Sequence, residues 1–150
     1  RIMKIEEEIK SNFRNDYHKG MVNLYYTNSI LHNKFTDLVK DHGLTATQFN
    51  VLRILRGQSP NAICIRSIKE RMIEKNSDVS RIIDRLYNKQ LVARTESETD
   101  RRHKDVKISQ NGLDLLKKMD DCVDQLDLLL SNLSENEIKK FNQLLDKIRG

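Results

Sequence analysis

Phe13, Tyr17, Met21, Leu24, Asn28, Leu31, Phe35 and Leu38, all but Asn28 apolar, recur every three or four positions, the period of one long helix face. Ile2, Ile5 and Ile9 give a short amphipathic segment ahead of it. Gly20 costs this helix roughly 1 kcal/mol relative to alanine, too little to break so strong a pattern. The helix should end at His42-Gly43. Val22, Tyr25, Tyr26 and Ile30 lie off the main stripe, so the helix is apolar on more than one side and calls for a second packing partner, which we take to be another copy of the chain. Thr45 to Gln48 has capping-box spacing and opens a helix through Phe49, Val51, Leu52, Ile54 and Leu55 to Gly57. A loop over 58–62 carries the single proline. Ile63-Cys64-Ile65 can supply a short strand, and Arg66 to Met72 a brief helix.

The segment from Asn76 to Ile108 organises the rest. Val79, Ile82, Ile83 and Leu86 have helical spacing and must face the interior, leaving Ser77, Asp78, Ser80, Arg81, Asp84, Arg85 and Asn88 outward. Asn76 or Ser77 is the expected N-cap. The β-prone runs LVAR and DVKI follow, separated by TESETDRRHK, which is too polar to pack and too long for a tight turn. This predicts a hairpin wing with Arg101, Arg102, His103 and Lys104 at its tip. A helix exposing short polar side chains and arginines beside a basic wing suits a clamp on neighbouring grooves of duplex DNA.

Beyond the wing, Ser109 should cap a helix. Leu116, Met119, Val123, Leu126, Leu130 and Leu133 form a heptad seam, and Ser134 to Glu137 is a second capping box ahead of Ile138, Phe141, Leu144, Leu145 and Ile148. The fold class expected is mainly α with a small β-wing: a winged helix-turn-helix core over 43–108, with helical dimerisation regions over 1–42 and 109–150. The terminal segments together carry more apolar surface than a domain this size can hide, which points to an intertwined homodimer.

Charge sharpens this picture. The chain carries a net +5, but between Arg53 and Lys107 fourteen Lys or Arg face eight Asp or Glu, so the basic excess sits with the helix and wing. That is the footprint of a polyanion-binding surface. No apolar run is long enough to cross a bilayer and no apolar leader opens the chain, so the expected location is cytoplasmic. The start at Arg1 suggests that a few native residues precede it. Cys64 and Cys122 lie far apart among apolar neighbours and read as small buried hydrophobes. The histidines at 18, 32, 42 and 103 have no metal-ligand spacing, and there is neither a local nucleophile set nor a Gly-rich phosphate loop. We therefore expect no enzyme, no cofactor and no metal.

NSDVSRIIDRL, the LVAR strand, Asp100-Arg101-Arg102 and KISQNG leading into a long helix together resemble the MarR family of bacterial transcriptional regulators, and the likeness runs over nearly the whole chain. The resemblance implies that Arg102, second arginine of the Asp-x-Arg wing, enters the minor groove while Asp100 helps hold it, and that Arg81 reaches base edges. The DNA-contacting set is then Ser77, Asp78, Ser80, Arg81, Arg85, Asp100, Arg101, Arg102, His103 and Lys104, on a pseudo-palindromic operator. Asp78 repels phosphate, so it either accepts from cytosine or turns back to cap its own helix. Gln90 departs from the family's helix-ending glycine, so the turn there is expected to differ locally.

In the family, ligands lodge where the dimer helices meet the core. By that resemblance Tyr25, Tyr26, Ser29, His32, Phe49 and Arg53 would line a site for a small aromatic effector, plain interdomain packing being the other reading. The family's peroxide sensors use a cysteine near the start of the first long helix, and this chain has none there. The expected function is a repressor released by an effector. A protein-interaction module and a zinc-responsive regulator are the alternatives.

Overall fold

Helices form where the apolar periodicity places them, and the computed structural model describes residues 1–97, 100 and 102–150. The chain clusters into two units, Arg1–Asp37 and Leu38–Gly150. The first holds α1 (Ile5–Ile9) and most of α2 (Asp16–Lys40). Within it Glu6 pairs with Lys19, and that hydrogen bond holds the Glu6 carboxyl below its ordinary pKa. Tyr17, Met21, Leu24, Tyr25 and Ile30 are all exposed in the single chain, Tyr17 by 89%.

The second unit carries the last residues of α2, then α3 (Ala46–Gln58), α4 (Ile65–Arg71), α5 (Val79–Asn88), the strands β1 (Val92–Glu96) and β2 (Lys104–Ile108), α6 (Gln110–Asp127) and α7 (Glu135–Arg149). Its core is drawn from every element around the hairpin. Val51, Leu52 and Leu55 of α3, Ile68 of α4, Val79, Ile83 and Leu86 of α5, Val106 of β2 and Leu116 and Met119 of α6 are all buried. Burying each such side chain contributes on the order of 1.5–3 kcal/mol, so this cluster fixes how α5 is presented. Asn50 adds a polar brace from α3, its Oδ1 accepting from the Ile73 N–H in the α4–α5 turn at 2.9 Å. Arg56 of α3 reaches Asp120 of α6 at 2.9 Å.

The capping boxes at Thr45–Gln48 and Ser134–Glu137 form as the spacing predicts, and Ser109 Oγ accepts from the Gly112 N–H at 3.1 Å. Several boundaries differ from expectation. Asp78, not Asn76 or Ser77, caps α5: its carboxylate accepts from the Arg81 N–H at 3.2 Å, and Ser77 Oγ instead donates to the Glu74 carbonyl at 2.8 Å. An acidic cap has the added advantage of facing the positive end of the helix. The third strand shrinks to Ile63, which exchanges two hydrogen bonds with Val106, because Ile65 already begins α4. The hairpin is longer than the apolar runs: pairing continues through Thr95↔Asp105 and Glu96↔Lys104, so the connection spans only 97–103.

The heptad seam is interrupted. Regular helix ends at Asp127, a single 3-10 turn covers Leu128–Leu130, and Leu133 lies beyond it. Four aspartates at 120, 121, 124 and 127 crowd the negative end of α6, and Ser131-Asn132 favours turns over helix, so the apolar spacing outlasts the helix. Among the described residues no helix is long and apolar enough to cross a membrane.

Candidate nucleic-acid interface

Helix α5 turns one apolar side inward and leaves Ser80, Arg81 and Arg85 exposed on the other. Its N-terminal turn faces a cavity of about 270 Å³ whose walls include Thr45, Thr47, Ser77, Asp78, Arg81 and Arg85. Ser77 is half-buried there, while Asp78, engaged as a cap, serves the helix and not a base edge. Of its two expected roles, the structure supports the second.

The wing tip is built around Asp100. Its Oδ1 accepts from the Arg102 backbone N–H at 3.0 Å and from Arg102 Nε at 3.1 Å, and its Oδ2 accepts from Arg102 Nη2 at 3.1 Å. The backbone bond closes a turn of the kind short acidic side chains favour. The two side-chain bonds set the plane of a guanidinium that is still 87% exposed. Those bonds, first the side-chain pair and then the backbone one, hold the Asp100 carboxyl below the ordinary aspartate range. His103 Nε2 lies 3.6 Å from Asp100 Oδ2, and Lys104 is exposed at the start of β2. Arg101 lies outside the described residues.

Two basic residues escaped the sequence reading. Arg94 of β1 pairs with Asp84 of α5 and lays its guanidinium over the Tyr87 ring, 4.5 Å from the centroid, so it clasps the wing to the helix. Asp84 and Tyr87 are three apart on one helix face, which was the available signal. Lys89, just past α5, reaches the Gly43 carbonyl and the Gln48 side chain.

The expected effector residues divide between the units. On α2, Tyr25 and His32 are exposed and Tyr26 is half-buried, with Ser29 Oγ donating to the Tyr26 carbonyl at 2.8 Å. On α3, Phe49 is buried and Arg53 lies over its ring, 5.7 Å from the centroid. Among the described residues no three His, Cys, Asp or Glu side chains gather as a metal ion would require. Cys64 and Cys122 are free and half-buried. The Ser67 hydroxyl and backbone beside Cys64 lower its thiol pKa.

Comparison with known proteins agrees with this geometry. A sequence model of the MarR family matches residues 44–104, the winged-helix core. The HTH-type transcriptional regulator MhqR of Bacillus subtilis is 29% identical over 113 residues, covering 73% of this chain and 75% of that one. MgrA of Staphylococcus aureus, also an HTH-type transcriptional regulator, is 28% identical over 127 residues, covering 85% and 79%. The crystal structure of a MarR transcription factor from Planctomyces limnophilus superposes with a TM-score of 0.69 at 28% identity, over 90% of this chain and 98% of that one. Core match, regulators aligned along most of the chain and a shared fold point the same way: residues 44–104 match the MarR family, and the chain as a whole is similar to HTH-type transcription regulators.

Proposed function

We propose that the chain acts as a cytoplasmic homodimer that binds double-stranded DNA in a sequence-specific way and represses transcription until a small aromatic effector releases it. The observation that carries this reading is the pairing of an exposed Arg81 and Arg85 on α5 with an Arg102 whose guanidinium is oriented by Asp100. Such a pair gives one arginine set for the major groove and one for the narrow, negative minor groove beside it. The relatives named above are regulators, which supports a protein that acts by binding and carries out no reaction. The aromatic and polar side chains of α2, Tyr25, Tyr26, Ser29 and His32, are the residues we assign to effector recognition.

Two-fold symmetry would set the recognition helices in successive major grooves about 34 Å apart. Selection from random duplexes should therefore recover an imperfect palindrome. On that operator, Arg81→Ala should cost about 1–3 kcal/mol and relax preference at one position per half-site. Arg102→Ala should weaken binding most where the flanks are A·T-rich, and flatten the salt dependence by about one counterion per protomer. Isotherms over a salt series measure both. An Arg102→Ala protein that binds as tightly as the parent at every salt would remove the wing from the interface.

A further inference from the structure

Three helix ends meet where α5 stops. Backbone bonds from Gln90 to the Tyr87 carbonyl and from Leu91 to the Leu86 carbonyl close α5, and the same pair of bonds, Gly43 to Lys40 and Leu44 to Val39, closes α2. On one side α6 is pressed against this exit without slack. Ser109 Oγ donates to the Gln90 carbonyl at 2.7 Å, the Ser109 N–H to the Leu91 carbonyl at 3.1 Å, and a Cβ at Gly112 would collide with that same Leu91 oxygen.

On the other side, beyond the apolar packing of α5 on α3, the polar tie at this end among the described residues is one side chain. The Lys89 ammonium donates to the Gly43 carbonyl and, at 3.3 Å, to Gln48 Oε1. Gln48 is buried, and its Oε1 also accepts from the Thr45 N–H at 3.1 Å, so Lys89 is fastened to the whole α2–α3 corner. Its position is electrostatically apt. The ammonium meets a carbonyl just past the end of α2, where the helix dipole favours a cation.

We infer that Lys89 is a positioning residue for DNA reading: it fixes the recognition helix to the α2–α3 corner, so that the setting of that corner decides whether α5 meets the operator in register. The inference rests on the DNA-binding reading above and names how that site is regulated. Lys89 acts from the C-terminal end of α5, away from the turn that carries Arg81, with its donors turned toward protein carbonyl and amide oxygens.

The test compares the parent dimer with Lys89→Met and Lys89→Arg, by isotherms on the selected operator and on random duplex over a salt series, with a thermal melt of each protein. Lys89→Met should lose about tenfold in operator affinity. Random-duplex affinity and the salt slope should stay at parental values, and Lys89→Arg, which keeps a cationic donor, should recover most of the loss. If both DNAs weaken alike and the slope falls by about one counterion per protomer, Lys89 is a phosphate contact and the inference is overturned. An unchanged ratio of operator to random affinity overturns it too. Should Lys89→Met fail to fold, Lys89→Gln, too short to reach both partners, takes its place with the same outcomes. A parent that shows no preference for any duplex overturns the DNA reading itself, and the inference with it.

Discussion

Gln90 adopts a left-handed backbone, φ 62°, at the position after α5 where Gly43 takes φ 76° after α2. The bond pattern is the same at both helix ends, so the turn geometry is kept with a residue that has a Cβ to accommodate. A left-handed conformation costs such a residue roughly 1–2 kcal/mol, and glycine loses about 0.5–1 kcal/mol more chain entropy on folding. The first effect outweighs the second. Gln90→Gly should therefore raise the free energy of unfolding by about 0.5–1 kcal/mol, read as a higher urea midpoint at unchanged slope. A lower midpoint would show that the Gln90 side chain supplies stability that its backbone strain conceals.

At the scale of elements, the wing tip depends on one carboxylate. Because the folded pKa of Asp100 is lowered, chiefly by the Arg102 side chain, the ordering it provides is fully present above the unfolded-state value. It is lost only as pH falls through the lowered folded value, so the clasp holds across the neutral range. Carbon NMR of the Asp100 carboxylate should give a titration midpoint below that of an ordinary aspartate, and Arg102→Ala should move it upward. A midpoint indifferent to Arg102 would mean that the pair does not form in solution. Helix identities and both capping boxes were legible in the sequence because each depends on residues within a turn or two. Asp78 was legible as one of two roles, its cap being a bond three residues away, whereas the reach of β1 and β2 into the polar loop and the reduction of the third strand to Ile63 were not, since each is settled by pairing between separate stretches of chain. Arg94 and Lys89 were missed for the same reason: their partners, Asp84, Tyr87, Gly43 and Gln48, become neighbours only after folding.

The whole molecule leaves much apolar surface outside its core. No residue of α7 is fully buried in the single chain, and Leu128, Leu144 and Ile148 are exposed, as are Tyr17 and Met21 in the first unit. Under the proposed homodimer this surface is what a second copy covers, and a stable folded monomer is then not expected. Leu126→Glu with Leu130→Glu should give an unfolded or aggregated chain, while the parent sediments as a dimer. A folded, monodisperse parent monomer at about micromolar concentration would contradict that assembly. The wing tip is built more locally. Ser97, Asp100, Arg102 and His103 bond to one another within the loop, and Arg102 and His103 are exposed. Substitutions there should accumulate at little cost to folding, so descendants of this gene can acquire new flanking-sequence tastes one residue at a time while inheriting the scaffold unchanged.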